Sequence, residues 1–221
     1  MVFHMRQKQN VIKPNIQLYE IKIECVNEFD FLGITLDTNL IWNSHINKTA
    51  GKITKAVGIL NRLKNMLPIN ILKTIYTSLI GSHLNYGILL WGHNNKRIFN
   101  LQKRAIRNLT KSKYNAHTKP IFKKLKLLKV FDIYKLQILT FYYKLVNDQI
   151  PEYFQSMHPN TLFHIHQRPT RQNQLFLVPI CNHEFIRKCI RHYMITILNN
   201  TSRTILDKVQ THSRNGFSWY V

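Results

Sequence analysis

The spacing of hydrophobic residues changes along this chain, from alternation near the N-terminus to helical spacing further on. Apolar and polar residues alternate between Ile16 and Asp37, where β-branched and aromatic residues are frequent, and this pattern predicts two or three short strands. From Ser44 to about Leu67, apolar residues recur at every third or fourth position, which predicts an amphipathic helix with Ser44 as its N-cap. A small β segment is therefore predicted to precede a helical body.

Further helical segments are predicted downstream, because apolar residues again recur at helical spacing. Pro68 precedes the first of them, and Pro151 ends the fourth because proline removes a helical hydrogen-bond donor. The stretch 155–182 lacks periodicity and contains Pro159, Pro169 and Pro179, so it is predicted to be a loop. The predicted segments are residues 71–80, 96–111, 121–128, 130–147 and 185–198.

Charge also changes along the chain, at about Thr38. The acidic residues before Asp37 all lie between Glu20 and Asp30, whereas residues 38–131 contain 18 Lys or Arg and no Asp or Glu. We interpret this change as a domain boundary. The predicted fold class is mainly α, with a β segment at residues 1–40, a basic helical domain at 41–150, and a loop and C-terminal helical region at 151–221.

The basic residues follow the same helical spacing as the apolar ones. At about 100° per residue they form a stripe opposite the apolar face of the first predicted helix, whereas Lys64 points with the apolar residues. The predicted helix 96–111 places its cations outward in the same way, and its inward residues are Ile98, Leu101, Ala105, Ile106 and Leu109. Folded basic faces of this kind usually meet phosphate backbones. The candidate nucleic-acid-binding cations are Lys48, Lys52, Lys55 and Arg62 in the first helix and Lys103, Arg104 and Arg107 in the second.

The overall composition is that of a folded, strongly basic protein. With 221 residues, of which 44% are hydrophobic, the chain can bury one or two modest cores, and its formal net charge of +22 favours a polyanionic partner. Three scattered cysteines argue against a disulfide framework, and no stretch has the pattern of a signal peptide or a membrane span. We therefore expect an intracellular protein, in the nucleus or the cytoplasm.

Several short motifs follow one another in a defined order. The first is Phe29-Asp30-Phe31-Leu32-Gly33-Ile34-Thr35-Leu36-Asp37. Those downstream are Trp42, His45-Ile46, Leu60-Asn61-Arg62-Leu63, Pro68, Ile75-Tyr76-Thr77-Ser78-Leu79-Ile80, Leu84-Asn85-Tyr86-Gly87, Leu90-Trp91-Gly92, Leu101-Gln102-Lys103-Arg104-Ala105-Ile106-Arg107 and Thr170-Arg171. In order and spacing they resemble the reverse transcriptases of non-LTR retrotransposons (LINE, jockey-like). Each motif is weak alone, and the combination is specific.

The resemblance implies where nucleic acid would bind. The segment Phe31-Leu32-Gly33 resembles the primer grip of that family, and the helices after it resemble the thumb, which holds the template and primer duplex. Gly33 has no Cβ, so a turn there lets a nucleic-acid backbone approach closely. The β segment then corresponds to the end of the palm, and the expected partner is an RNA/DNA or DNA duplex.

The resemblance also bears on catalysis. Nucleotide transfer requires two Mg²⁺ ions held by carboxylates, which that family takes from an aspartate pair in the palm. No Asp-Asp pair occurs in this chain, and Met1-Val2-Phe3-His4 resembles the palm strand that follows the pair. We therefore expect a truncated fragment that binds nucleic acid, needs no cofactor and does not polymerise by itself.

The aromatic residues of the motifs have two possible roles. Tyr76, Tyr86 and Trp91 suit stacking on bases, but their helical setting among Leu and Ile favours core packing. Phe31 suits supporting the turn from within and touching the primer equally well.

Two other interpretations of the chain are weaker. A cluster of cysteine and histidine suits zinc, but its spacing matches no standard finger; its members are Cys181, His183, Cys189 and His192. The basic helix 96–111 also suits an anionic membrane or an acidic protein. The alternative to nucleic-acid binding is thus a helical protein- or membrane-interaction module, or a transposon relic without function.

Overall fold

The computed structural model describes residues 1–4, 14–93, 96–162, 175–181, 187 and 189–202. The chain divides into two compact units, residues 1–133 and 134–221. The strands are β1 (Ile16–Leu18), β2 (Ile21–Ile23), β3 (Glu28–Phe31) and β4 (Ile34–Asp37). The α-helices are α1 (Asn43–Leu63), α2 (Ile69–Tyr76), α3 (Ser82–Asn85), α4 (Ile88–Trp91), α5 (Lys96–Leu109), α6 (Thr118–Leu125), α7 (Val130–Val146) and α8 (Ile190–Asn199). The predicted fold class, mainly α with a small N-terminal β segment, is confirmed.

The strands form two separate antiparallel hairpins, β1–β2 and β3–β4. In the second hairpin Phe31 pairs with Ile34, so Leu32 and Gly33 alone connect the strands. Both connecting residues have positive φ, 48° and 77°, which is the two-residue turn that matches the twist of paired strands. Glycine adopts this conformation readily, whereas Leu32 adopts it at a cost.

The core of the first unit lies where α1, α2 and α5 pack together. The apolar face predicted for α1 is confirmed, and the buried residues of this helix are His45, Ile46, Thr49, Ala50, Ile53, Ala56, Val57 and Leu60. In α5, Ile98, Ala105, Ile106 and Leu109 are buried as predicted. Leu101, also predicted to point inward, is only half-buried, because Gln102 takes the central position of that face.

Gln102 is 0% exposed and fully engaged in hydrogen bonds. Its Nε2 donates to the Tyr76 hydroxyl and to the Leu128 carbonyl oxygen, and its Oε1 accepts the backbone N–H of Val130, each at 2.9 Å. Since a buried amide is tolerated when its polar atoms are paired, this one side chain joins α2, α5 and the start of α7. Burial raises the pKa of Tyr76 to about 12, so its hydroxyl stays protonated.

The start of α1 differs from the prediction. Ser44 does not cap the helix, which begins at Asn43, and its hydroxyl donates to the Glu28 carboxylate instead. The Asp37 carboxylate organises the approach to the helix, because it accepts the backbone N–H groups of Ile41 and Trp42 at 2.9 and 2.8 Å. The hairpin β3–β4 is thereby tied to the first turn of α1.

Other predicted boundaries also shift. The first helix ends at Leu63 instead of about Leu67. The helix predicted at 71–80 begins at Ile69 and changes at Thr77 to a π-helical turn, Thr77–Gly81. The helix predicted at 121–128 ends at Leu125, because the following residue, Lys126, adopts a left-handed conformation with φ of 53°.

The second unit contains most of α7, a 3₁₀ helix at Glu152–Met157, which overlaps the start of the predicted loop, and α8. The ring of Phe176 packs against that of Tyr142, with centroids 6.1 Å apart. The Asn199 side chain accepts the backbone N–H of Phe176 and donates to its carbonyl oxygen, both at 2.9 Å. The amide thus pairs with this segment as a neighbouring strand would. Residues 163–174 and 182 of the predicted loop, and 185, 186 and 188 of the predicted last helix, lie outside the described residues.

Candidate nucleic-acid interface

The turn of the β3–β4 hairpin presents apolar side chains to solvent. Phe31 is 57% and Leu32 74% exposed, so Phe31 does not support the turn from within. The Tyr86 hydroxyl donates a hydrogen bond to the Leu32 carbonyl oxygen, and a Cβ built at Gly33 would lie 3.6 Å from Cε1 of the Tyr86 ring. The turn therefore rests on Tyr86 on one side and is open on the other.

The three motif aromatics divide into two groups. Tyr76 and Trp91 are buried, as predicted, and the Trp91 indole N–H donates to the Tyr86 carbonyl oxygen at 3.0 Å. The prediction of core packing is wrong for Tyr86, which is 54% exposed. Its partner Leu32 lies 54 positions away, and local spacing carries no information about such a contact.

An ion pair attaches the hairpin to the cationic stripe of α1. The Asp30 carboxylate accepts a hydrogen bond from the Thr35 hydroxyl at 2.5 Å and two from Lys48 Nζ at 2.9 and 3.0 Å. The Thr35 hydrogen bond, and after it Lys48, lowers the pKa of Asp30. Lys48 was predicted to contact phosphates, but its charge is partly neutralised by the chain itself.

His45 forms a second, buried link between the hairpin and α1. Its Nδ1 accepts the backbone N–H of Thr35 at 3.3 Å, its Nε2 lies 3.4 Å from the Thr49 hydroxyl, and its ring lies 5.5 Å from that of Trp91. Burial, and after it the charge of Lys52, lowers the pKa of His45. The neutral imidazole is thus the form that the fold stabilises.

The remaining predicted cations of α1 lie on its exposed face. Lys52, Lys55 and Arg62 are all exposed, on the side of the helix opposite Ile53 and Leu60. Among the residues that the structure describes, the one ion pair is that of Lys48 with Asp30. Lys52, Lys55 and Arg62 therefore present positive charge to solvent, and we call these three residues the α1 stripe.

The three predicted cations of α5 have different surroundings in the structure. The ammonium of Lys103 lies 4.4 Å from the centroid of the Phe99 ring, where its charge interacts with the π face. Arg107 donates from Nε to the Ala116 carbonyl oxygen at 3.0 Å. Arg104 is exposed and, like Arg107, faces α1 instead of Phe99.

Arg104 and Arg107 line a groove between α1 and α5. The groove has a volume of about 390 Å³, and we call it the α1–α5 groove. Its lining residues are Thr54, Val57, Gly58, Asn61, Lys64, Arg104, Arg107, Asn108, Ser112 and Tyr114. Lys64, which did not fit the predicted stripe, thus joins the two arginines, and sequence reasoning missed both this groove and the contribution of Tyr114.

Other predicted features are only partly described. His183, one member of the proposed zinc cluster, and the motif Thr170-Arg171 lie outside the described residues. In the described part of the chain, no three Cys, His, Asp or Glu side chains group so as to hold a metal ion. None of the helices in that same part has both the length and the hydrophobicity needed to cross a membrane.

The chain shares sequence with a transposon enzyme. It is 25% identical over 127 residues to the "Probable RNA-directed DNA polymerase from transposon X-element" of Drosophila melanogaster. The match covers 54% of this chain and 14% of that protein, so the chain corresponds to a small part of its relative. The similarity supports a reverse-transcriptase-like origin. No protein-family model matches the chain, and no solved structure matches it significantly.

Proposed function

We propose that this chain binds a template and primer duplex, RNA/DNA or DNA, through its sugar-phosphate backbone. In this proposal it is the primer-grip, thumb and post-polymerase part of a jockey-like non-LTR retrotransposon reverse transcriptase. The observation that carries the proposal is the α1 stripe, an exposed row of cations in a segment of the chain that contains no acidic residue. A row of cations without base-reading side chains binds phosphates independently of sequence.

The dimensions of α1 suit this role. At 1.5 Å per residue, the α1 stripe from Lys52 to Arg62 is about 15 Å long. Phosphates on one strand advance roughly 3.4 Å per base pair along the axis of a duplex, so the stripe spans about four of them. The Asp30–Lys48 pair brings the β3–β4 hairpin beside the N-terminal end of the stripe. In this proposal Phe31, Leu32 and Gly33 touch the primer strand.

Nucleotide transfer is not part of the proposed function. The sequence holds no Asp-Asp pair, and two-metal catalysis needs carboxylates in close register. In this proposal the chain contributes binding and not catalysis.

Binding to a fluorescently labelled RNA/DNA hybrid across a salt series tests the proposal. With three phosphate contacts from the α1 stripe, affinity should fall roughly 40-fold between 50 and 200 mM salt. The triple variant Lys52→Glu, Lys55→Glu, Arg62→Glu should lose most of the binding. The matched control is Lys119→Glu, Lys123→Glu, Lys124→Glu on the exposed face of α6, which changes net charge equally. An equal loss in both variants would show diffuse attraction and would contradict a specific role of the α1 stripe.

One observation favours the alternative of a protein-interaction module. The side chains of β1 and β2 are exposed although several are apolar, among them Ile16, Leu18, Ile21 and Ile23. An apolar hairpin of this kind suits contact with a protein surface. Association through this hairpin should be nearly independent of salt, so the same salt series separates the two functions.

A further inference from the structure

The α1–α5 groove combines cations, amides and one aromatic ring around a single open volume. Small-molecule sites in proteins typically occupy roughly 300–1,000 Å³, and the volume of about 390 Å³ falls within that range. A single nucleotide fits such a space, whereas a double helix does not enter it. The groove therefore suits a ligand different from the duplex that the α1 stripe faces.

The charges around the groove favour an anionic ligand. Lys64, directly after the end of α1, and Arg104 and Arg107 from α5 line it together, and none of its lining residues is acidic. Like charges around one cavity repel each other unless an anion lies between them. The bond to Ala116 uses one of the five N–H donors of Arg107, so its guanidinium retains donors for a phosphate.

An exposed aromatic ring stands at the edge of the groove. Tyr114 is 83% exposed and lies in the loop that joins α5 to α6. This loop is tied to α5, because the backbone N–H of Ser112 donates to the Arg107 carbonyl oxygen at 3.0 Å and Arg107 binds Ala116. The Arg107 guanidinium also lies 5.9 Å from the centroid of the Tyr114 ring. The loop that carries the ring is thus attached to α5, while the ring face is open to solvent, as a platform for base stacking requires.

We propose that the α1–α5 groove binds an unpaired nucleotide of single-stranded RNA or DNA, with its base on Tyr114 and its phosphate on Lys64 and Arg104. The inference rests on the proposed function in taking nucleic acid as the partner, and it adds a second site with a different substrate class. A strand that leaves the duplex on the α1 stripe is held in this way next to it, because α1 contributes residues to both surfaces.

Two labelled probes test the inference: a blunt RNA/DNA hybrid and an oligothymidylate of about ten nucleotides, within the usual range of single-strand sites. Tyr114→Ala should weaken oligothymidylate binding about tenfold, the size of effect expected for one lost stacking contact, and should leave hybrid binding unchanged. Tyr114→Phe keeps the ring and should bind as the wild type does. Lys64→Gln and Arg104→Gln should each lower the salt slope for oligothymidylate by about 0.7.

Lys55→Gln is the matched control, since it removes one exposed cation of α1 outside the groove and should affect the hybrid more than the oligothymidylate. The inference is overturned if Tyr114→Ala binds oligothymidylate as the wild type does, or loses affinity for both probes equally. It is also overturned if polyglutamate displaces the oligothymidylate as well as a second single strand does, because the groove would then select an acidic polymer. A different result separates the two proposals: the α1 stripe variants keep full hybrid binding, while Tyr114→Ala loses affinity for the oligothymidylate alone. The proposed function would then be wrong, whereas single-strand binding in the α1–α5 groove would be supported.

Discussion

The Tyr86 hydroxyl donates a hydrogen bond to the Leu32 carbonyl oxygen, 54 positions earlier in the chain. Leu32 has a φ of 48°, a left-handed conformation that residues with a Cβ adopt at a cost. The bond therefore stabilises a turn whose own conformation is unfavourable. Through it, the helical part of the first unit holds the segment that resembles a primer grip.

Removal of this hydroxyl should loosen the turn. Tyr86→Phe should lower the free energy of unfolding by about 1 kcal/mol, the usual net contribution of one hydrogen bond, as measured by urea denaturation. Leu32→Gly in the same background should recover part of the loss, since glycine adopts positive φ without strain. Tyr153→Phe, at another exposed tyrosine, is the control and should be neutral; an equal loss there would mean that the Tyr86 hydroxyl has no special role.

Two glycines should respond to alanine in opposite directions. Gly87 has a φ of 59°, and a Cβ there would lie 2.5 Å from Ile34 Cδ1. Gly87→Ala should therefore destabilise the fold by about 1–3 kcal/mol through backbone strain and the clash with the hairpin. Gly51 lies within α1 with nothing near its Cβ position, so Gly51→Ala should stabilise by roughly 0.5–1 kcal/mol. Thermal denaturation of both variants is the measurement, and an unchanged or raised melting temperature in Gly87→Ala would contradict the packing of Ile34 on Gly87.

The buried amide of Gln102 should be costly to remove. In Gln102→Ala, the Leu128 carbonyl and the Val130 N–H lose their partner inside the core, and each buried unpaired group costs about 1–3 kcal/mol. We expect a loss of about 3 kcal/mol in the free energy of unfolding, measured in urea. Gln149→Ala, at an exposed position after α7, should be near neutral. A small effect at Gln102 would show that water takes the place of the amide.

His45 should make the stability of the first unit dependent on pH. Burial, and after it Lys52, lowers its pKa in the folded state below the ordinary 6.5, while Asp30 acts in the opposite direction. The unfolded chain therefore binds the proton more tightly, so stability is full above about pH 6.5 and falls as the pH decreases toward the folded-state pKa. Melting temperatures between pH 7.5 and pH 5, a window set by the shift below 6.5, should show this decline.

Substitution identifies the histidine responsible for that decline. His45→Gln should flatten the pH dependence in part, and the additional substitution His83→Gln should flatten it further, because burial lowers the pKa of His83 as well. His117→Gln, at an exposed position, serves as the control. If the decline persists unchanged in His45→Gln, protonation of His45 does not break its bond to Thr35.

Periodicity was sufficient to predict the longer helices, but it predicted neither the short α3 and α4 nor the contacts between helices. The apolar faces of α1 and α5 follow from spacing, because burial of one face repeats every 3.6 residues. Gln102 was not expected inside, since hydropathy does not reveal that Tyr76, Leu128 and Val130 would satisfy its amide. Helix ends moved for similar reasons: the left-handed Lys126 ends α6 without a glycine.

For the cationic surface too, helical periodicity predicts which residues are exposed, but it does not predict contacts between elements distant in sequence. The positions of Lys52, Lys55 and Arg62 on an exposed face follow from the 100° rotation per residue. The neutralisation of Lys48 depends on Asp30, a residue of another element 18 positions away. The α1–α5 groove likewise exists only because two helices distant in sequence pack side by side, so no single helix pattern predicts it.

The ion pair of Asp30 and Lys48 should limit duplex binding if the proposed function is correct. Asp30→Asn removes the carboxylate that accepts both Lys48 hydrogen bonds, and it leaves an amide oxygen able to accept from Thr35. Lys48 is then available for one more phosphate, so binding to the RNA/DNA hybrid should tighten, and the salt slope should steepen by up to about 0.9.

Glu28→Gln is the matched control. It removes the same charge from the same strand, but its carboxylate accepts a hydrogen bond from the Ser44 hydroxyl and not from a cation. If both variants change the slope equally, the effect comes from net charge alone and Lys48 does not reach the duplex. A steeper slope in Asp30→Asn only, abolished again by Lys48→Gln in the same chain, would place Lys48 at the end of the α1 stripe as its fourth phosphate contact.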